Sequence, residues 1–418
     1  MTGPNHVEVS GSLTGASNTS DSPVVRRAGR RLIRRAFFLL VVVVALDILV
    51  GLIFIRQGRF RGRPVPPYAM TFNESQAAHL AGLGRRRDPY TRFDPELGWS
   101  IRPGGVSADG LYRANAAGFR ANRNYDLTPP PGVRRVAVFG DSYVHCAGVA
   151  NDQTWPDLLG SMDTGLEVLN FGVNGYGPDQ AYLRYLKDGA KHRPHVVLIG
   201  IMVENIMRSV TVYRPAYYHD TSSVSVKPRF RLTDDGALRQ IPCPAESVEH
   251  LKTLIQSRRL LSTLRETDYW VSRAPTAYEE SPLLWSSIWR IVYGSYENAR
   301  RVPRYHYEHT QCESFRVTAA VLRKFHDRAI KDGATQAVVL FFPNVYTVYG
   351  QIEGQSAYWT ALLDKLRSSG VPCVDLTPLM VEAVQRFDLD KCFSGNHFSP
   401  LGNRIVAQAL YTNVLQLP

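Results

Sequence analysis

Five short apolar segments constrain the fold of this chain more than any other feature. They have the length of strands and cover residues 133–140, 166–173, 195–202, 336–342 and 372–378. Continuous apolar runs of this length are typical of strands buried on both faces of a parallel sheet. Helical patterns lie between and after them, at residues 153–162, 178–190, 315–332, 356–369 and 401–414. The alternation predicts βαβ units in a doubly wound α/β/α sandwich with a parallel sheet.

One long segment, about 206–314, interrupts this alternation after the third strand. It begins with aromatic residues and contains PRFRLTDDGALRQI, in which Asp-Asp-Gly supplies the turn of a predicted hairpin. Amphipathic helical stretches follow the hairpin. We interpret the segment as an insertion that forms a lid or a wall beside a site.

A 20-residue apolar run near the N-terminus, AFFLLVVVVALDILVGLIFI at 36–55, predicts a transmembrane helix. At about 1.5 Å per residue it spans the roughly 30 Å hydrocarbon core of a bilayer. A cleaved export signal is the alternative, because an arginine pair precedes the run. The single acidic residue, Asp47, is either a helix-packing contact or a charge tolerated at some cost within the span.

The positive charge of the chain is concentrated around this run. The net charge is +12, and residues 1–63 hold ten arginines against three acidic residues, a net +7. The rest has an ordinary balance, which argues against a nucleic-acid partner. Six arginines before the run and four after it favour a cytoplasmic N-terminus and an extracytoplasmic domain. We expect a disordered basic tail at 1–35 and a juxtamembrane linker with an irregular lead-in at 56–132.

Polar residues follow the predicted strands, at the edge where open α/β sheets place their ligands. Ser142 follows the first strand, Gly175 lies in NFGVNGYG after the second, and Asn205 follows the third. His397 precedes the last helix in GNHFSPLGN. A serine hydroxyl becomes a good nucleophile when an imidazole takes its proton, and N–H donors stabilise the oxyanion that forms. The alternative role for Ser142 is to cap the next helix.

These blocks, in this order, resemble the SGNH hydrolases, also called GDSL esterases and lipases, over about 133–415 without the insertion. The resemblance implies a flavodoxin-like α/β/α domain that cleaves or transfers acyl groups at esters without a cofactor or a metal. It implies that Ser142 is the nucleophile and, through its N–H, the first oxyanion donor. Gly175 and Asn205 are then the second and third donors, and His397 is the base.

Two positions depart from the family pattern. The family usually has an aspartate three residues before the histidine, and this chain has Ser394. Either Asp390 folds back to complete a triad, or a backbone carbonyl or Ser394 orients the imidazole of a Ser-His dyad. The second departure is MVEN, with Glu204 before Asn205, in place of Gly-x-Asn.

The sequence therefore predicts a membrane-anchored, extracytoplasmic serine esterase that works through an acyl-Ser142 intermediate. Its predicted partners are an acylated, O-acetylated envelope glycan or glycolipid and the lipid bilayer around 36–55. Two alternatives stay open. One is an O-acyltransferase to an envelope polysaccharide that uses the same site, and the other is a non-catalytic glycan-binding or scaffolding protein. A wide separation of Ser142 from His397 favours the last.

Overall fold

The structure, a computed structural model, describes residues 23–68, 74–76, 78, 89–257, 259–278 and 281–415. Its strands are β1 (Arg59–Phe60), β2 (Arg63–Pro64), β3 (Thr91–Asp94), β4 (Gly98–Ile101), β5 (Arg134–Phe139), β6 (Leu166–Asn170), β7 (Val196–Met202), β8 (Arg229–Leu232), β9 (Leu238–Ile241), β10 (Gln336–Phe342), β11 (Cys373–Asp375), β12 (Phe393–Ser394) and β13 (His397–Phe398). Its α-helices are α1 (Pro23–Phe54), α2 (Ser142–His145), α3 (Trp155–Gly160), α4 (Pro178–Arg184), α5 (Asn205–Arg208), α6 (Val248–Gln256), α7 (Arg259–Thr267), α8 (Tyr269–Arg273), α9 (Ser287–Arg300), α10 (Pro303–Glu308), α11 (Glu313–Lys331), α12 (Val345–Ile352), α13 (Thr360–Arg367), α14 (Thr377–Phe387), α15 (Leu389–Cys392) and α16 (Pro400–Leu410).

The central sheet confirms the predicted fold class. Its five strands lie in the order β11-β10-β7-β5-β6, and every neighbouring pair is parallel. In chain order this is the 2-1-3-4-5 arrangement of flavodoxin-like folds. Each of the five predicted segments contains one of these strands. The order reverses between β5 and β7, which places a crevice at their carboxyl ends.

Burial explains why these segments become central strands. All seven residues of β7 are buried, as are six of the seven in β10. Helices cover the sheet, with α3 packed against α16 and α4 packed against α11. Strands covered in this way have no solvent-facing side, so their sequences are apolar throughout rather than alternating.

The lead-in before β5 packs against the carboxyl edge of the sheet. The β3-β4 hairpin is joined to the loop after β6 by two hydrogen bonds. Trp99 Nε1 donates to Asn174 O at 3.0 Å, and Tyr176 donates its hydroxyl to Trp99 O at 2.5 Å. The lead-in therefore forms part of the surroundings of the crevice.

Helix α1 contains the whole predicted apolar run except Ile55. It begins at Pro23, so residues 23–35, predicted as part of a disordered tail, are helical; arginine is a good helix former and extends the apolar helix backward. The rest of that tail, 1–22, lies outside the described residues. Mean hydropathy over the best window is 3.1, and the helix is long and apolar enough to cross a membrane. A signal sequence shares this property.

The insertion contains the predicted hairpin and a group of helices. Strands β8 and β9 pair antiparallel, with Leu232 opposite Leu238, which confirms the hairpin. Helices α6 to α10 follow. Helix α9 packs against α1, so the insertion extends from the crevice to the N-terminal helix.

Candidate active site

Ser142 is the first residue of α2, directly after β5. Asp141 is the N-cap of this helix, and its Oδ1 accepts a hydrogen bond from Tyr143 N at 2.9 Å. The serine hydroxyl is therefore not used as a cap. Instead, Ser142 Oγ lies 2.8 Å from His397 Nε2, a distance suited to proton transfer.

A short hairpin brings His397 to the serine. Ser394 pairs with His397 across β12 and β13, which are joined by the two-residue turn Gly395–Asn396. The hydroxyl of Tyr143 donates to Asn396 O, and the Tyr143 ring packs 5.2 Å, centroid to centroid, from the imidazole. The residue next to Ser142 thus holds the loop that carries His397.

The residues after His397 fix the hairpin to α16. Ser399 caps α16 through Gly402 N, and the Ser399 N–H donates to Cys392 O at 3.0 Å. A β-carbon at Gly402 would lie 2.3 Å from Cys392 O, so this position has room only for glycine. Asn403 donates its amide to the carbonyls of Phe398 and Ser399. The block HFSPLGN is therefore explained by packing and capping around the histidine.

The structure does not bring Asp390 to His397. Asp390 is exposed on α15, and no carboxylate among the described residues forms a hydrogen bond or ion pair with the imidazole. The physical reason is that Ser399 binds both Lys391 O and Cys392 O, which fixes the α15 backbone against α16 and leaves Asp390 in solvent. Ser394, the cross-strand neighbour of His397, is exposed as well.

The electrostatics around His397 favour its neutral form. Burial lowers the pKa of the imidazole, the Asp141 carboxylate raises it, and the Arg208 guanidinium lowers it. The net effect is a pKa below the 6.5 of an ordinary histidine. A neutral imidazole is the form that accepts a proton from serine.

A buried ion-pair network supports the loop that carries Ser142. Asp141 Oδ2 accepts from Asn205 Nδ2 at 3.0 Å and from Arg208 Nη1 at 3.1 Å. Arg208 also donates to Glu204 Oε2 at 3.0 Å and to Tyr176 O at 3.1 Å. Burial would raise the pKa of Glu204, but Arg208 and Arg214 bring it down to about 2. Glu204 is therefore charged at neutral pH.

The structure places Asn205 beside the nucleophile loop, where its amide binds Asp141. Asn205 Oδ1 accepts from Met202 N, and one N–H of the amide is used by Asp141, which leaves a second N–H on the same nitrogen. Gly175 lies in the loop after β6 with φ of 82°, a conformation that favours glycine. Val173 N donates to Gly140 O at 3.0 Å and joins this loop to the end of β5.

Sequence reasoning missed several residues of the site. Trp99 Cζ2 and Arg214 Nη1 would lie 3.4 and 3.1 Å from a β-carbon on Gly175, so they bound the space beside that loop. Tyr143 and Arg208 hold the loops that carry His397 and Ser142. The only available signal was adjacency: Tyr143 follows Ser142, and Arg208 is one helical turn after Glu204.

Arg120, in the lead-in before β5, has a structural role. It is buried, its Nη1 donates to His145 O and Cys146 O, and its Nε donates to Asn151 Oδ1. These bonds satisfy carbonyls at the end of α2. Within the described parts of the chain, no three His, Cys, Asp or Glu side chains are grouped so that they could hold a metal ion.

The fold and this geometry together define a class: a flavodoxin-like α/β protein with a serine-histidine pair at the carboxyl edge of its sheet. No protein-family model matches the chain, and no curated protein matches it. Solved structures do show similarity. A member of the lipolytic protein G-D-S-L family from Veillonella parvula DSM 2008 is 10% identical, over 68% of this chain and 100% of that chain, with a TM-score of 0.30.

Two acetylxylan esterases give similar values. An acetyl xylan esterase is 11% identical, over 67% of this chain and 99% of that chain, with a TM-score of 0.34. A catalytic mutant of an acetylxylan esterase from Geobacillus stearothermophilus is 12% identical, over 66% of this chain and 92% of that chain, with a TM-score of 0.33. At such identities the similarity does not identify the reaction of this chain, and its own residues must do so.

Proposed function

We propose that this protein is a membrane-anchored, extracytoplasmic serine esterase that removes acyl groups, O-acetyl groups above all, from an envelope glycan or glycolipid. The observation that carries the proposal is the 2.8 Å contact of Ser142 Oγ with His397 Nε2 at the carboxyl end of β5. Asp141 caps the helix, so the serine hydroxyl has no structural task to compete with this contact. The same contact argues against the non-catalytic alternative.

In the proposed mechanism, Ser142 Oγ attacks the ester carbonyl carbon while its proton moves to His397 Nε2. The oxyanion is stabilised by the N–H groups of Ser142 and Gly175 and by the second amide N–H of Asn205. Collapse breaks the C–O bond, and the leaving alcohol takes the proton from His397. Water then attacks the acyl-Ser142 with His397 as base, which releases the acid and restores the serine.

The site would work without a carboxylate on the imidazole. An imidazolium would be stabilised by Asp141, whose charge raises the pKa of His397 through space. Tyr143 takes over part of the orienting role, because it packs on the ring and holds Asn396. We therefore propose a Ser142-His397 dyad in place of a triad.

The narrow space beside Gly175 supports a small acyl group. Trp99 and Arg214 would lie 3.4 and 3.1 Å from a β-carbon on that glycine, which leaves little room for a long chain. An indole face and a guanidinium are also groups that pack on sugar rings and bind their hydroxyls. The glycan or glycolipid part of the substrate follows from the membrane anchor and the predicted topology.

The test is labelling of the full chain, in detergent, with a fluorophosphonate probe, followed by mass spectrometry of the adduct. We expect a single adduct on Ser142 that is absent from Ser142→Ala and retained in Ser394→Ala, the matched exposed serine. A folded wild-type chain that takes no label would overturn the esterase proposal in favour of glycan binding or scaffolding.

An O-acyltransferase would use the same acyl-Ser142 intermediate, so labelling does not separate the two activities. Product analysis does. An esterase releases free acetate from an activated acetyl ester whether or not an acceptor glycan is present, whereas a transferase moves the acetyl group to the glycan. Transfer that exceeds hydrolysis would replace the proposed reaction with the second one.

Asp390→Asn is expected to change kcat/KM for a small acetyl ester by less than about twofold, because this carboxylate is exposed and does not contact His397. Neutralising the aspartate of a working triad lowers kcat by about 10⁴. Steady-state kinetics of the variant thus distinguish dyad from triad. A drop of two orders of magnitude would restore Asp390 to the site.

The acidic limb of the pH profile is expected to lie below pH 6.5. The base must be neutral, and the pKa of His397 is lowered by burial and by Arg208. Activity is therefore retained as the pH falls through 6.5 and is lost only when the lowered pKa is crossed. The measurement is kcat/KM against pH, which reports the free enzyme. A limb above 6.5 would contradict the assignment of His397 as the base in this environment.

A further inference from the structure

Asp47, the single acidic residue of the apolar run, binds the start of α9 in the insertion. Its two carboxylate oxygens accept from Ser286 Oγ at 2.7 Å, Ser287 N at 2.8 Å and Ile288 N at 2.9 Å. Gly51, one turn further along α1, faces Ser287 closely enough that a β-carbon would not fit. Of the two roles left open for Asp47, the structure selects the packing contact.

The position of Asp47 sets the depth at which α9 begins. Arg56, the first residue after the apolar run, lies nine positions further along the chain, which at about 1.5 Å per residue is roughly 13 Å. In hydrocarbon, both a lone carboxylate and the free N–H groups of a helix start are costly. Here each satisfies the other, so the pair is suited to a depth that water does not reach.

From this start, α9 runs outward along the end of α1. Gly294 packs against Val65 and Pro66, Arg290 Nε donates to Pro66 O at 2.6 Å, and Asn298 Nδ2 donates to Pro64 O at 2.8 Å. One face of α9 is therefore docked onto the segment that leaves the membrane.

The other face of this element is apolar and uncovered. Trp285, Trp289, Val292 and Tyr296 recur at helical spacing, with Leu283 and Ile288 beside them, and Trp285 is 83% exposed. The stripe runs over the 12 residues 285–296, or about 16 Å at the rise of a helix, close to the thickness of one leaflet. At its outer end the Arg300 guanidinium lies 4.2 Å from the Tyr296 ring, a pairing typical of the headgroup level.

We propose that residues 282–300 form a second membrane element. This element enters the outer leaflet beside α1, and lipid covers its exposed apolar face. The inference rests on the proposed membrane span. We assign the uncovered face to the bilayer because it is continuous with α1, whose own apolar surface faces outward. The insertion then fixes the orientation of the catalytic domain relative to the membrane. Its Arg214 also bounds the space beside Gly175.

The test uses the full chain in phosphatidylcholine vesicles that contain a lipid brominated on its acyl chains, which quenches nearby tryptophan fluorescence. Of the six tryptophans, Trp155, Trp270 and Trp359 are buried in the protein core. We expect strong quenching that falls at least about twofold in Trp285→Phe/Trp289→Phe. The matched control, Trp99→Phe at the crevice, is expected to keep the quenching.

The outcomes separate this inference from the others. Quenching that is equal in wild type and the double variant would overturn it, and a dimer in sedimentation of the detergent-solubilised chain would assign the face to a second copy. A chain that does not float with vesicles would overturn the membrane span and the inference with it. The assignment of Ser142 and His397 as the catalytic pair is untouched by either result, because it rests on their 2.8 Å contact and the measurement does not depend on activity.

Discussion

A His397→Gln variant is expected to lose kcat/KM for a small acetyl ester by about 10³-fold or more, while its fold is retained. Glutamine fills a similar volume but cannot take the proton of Ser142, so general-base assistance and activation of the serine are both lost. His397 is half-buried on a surface hairpin whose position is set by other contacts, those of Tyr143 and Ser399. The measurement is steady-state hydrolysis, with circular dichroism as the check on folding.

The matched control for this variant is His326→Gln. His326 lies on α11, pairs with Asp327 and is not part of the site, so its replacement is expected to leave kcat/KM unchanged. Equal activity of the two variants would contradict the role of His397. A fluorophosphonate adduct that forms on His397→Gln at the wild-type rate would contradict it as well.

The fold could be predicted because it depends on local patterns. Segments buried on both faces must be apolar, and a parallel connection needs a helix, so alternating runs indicate the sheet before any contact is known. The hairpin β8-β9 was predictable from Asp-Asp-Gly for the same reason. The bounds of β10 match the predicted run, whereas the runs that contain β5, β6 and β11 extend one to three residues beyond the strand, because their last residues turn into the loops at the carboxyl edge.

The site could be predicted only where chemistry and position coincide. Ser142 and His397 lie in recognisable sequence blocks, and the structure brings them together. Asp390 is predicted as the triad acid only from its proximity to His397 in the sequence. Two hydrogen bonds from Ser399 fix the backbone next to Asp390 and leave its carboxylate in solvent, without contact to the imidazole. The partnership of Asp141 with Arg208 joins residues 67 positions apart, and no local pattern indicates it.

The insertion shows the same limit at larger scale. Its helices were predicted as amphipathic, but amphipathicity does not say what covers the apolar face. The position of α9 depends on Asp47, which is distant from α9 in the sequence and contacts it only in the folded chain. An acidic residue in an apolar run therefore predicts a hydrogen-bond donor in a distant part of the chain.

Arg208→Met is expected to lower the free energy of unfolding by about 3–5 kcal/mol, the cost of breaking a buried ion pair from one side. The guanidinium is almost fully buried and pairs with Asp141 and Glu204 at once. Without it, two carboxylates lie close together with less compensation, and the cap of α2 beneath Ser142 is strained. The measurement is chemical denaturation of the detergent-solubilised chain, and we expect activity to fall with stability.

Two further variants make this prediction sharp. Arg323→Met removes an exposed arginine 3.6 Å from Asp327, and such surface pairs contribute at most about 1 kcal/mol. Asp141→Asn/Glu204→Gln/Arg208→Met removes all three charges and is expected to recover part of the stability, because the two carboxylates that lose Arg208 are neutralised as well. Arg214, which loses its partner Glu204, is partly exposed to solvent. The triple variant should not recover activity, since Asp141 is the one carboxylate whose charge raises the pKa of His397. If Arg208→Met unfolds like Arg323→Met, the network is not what holds the nucleophile loop in place.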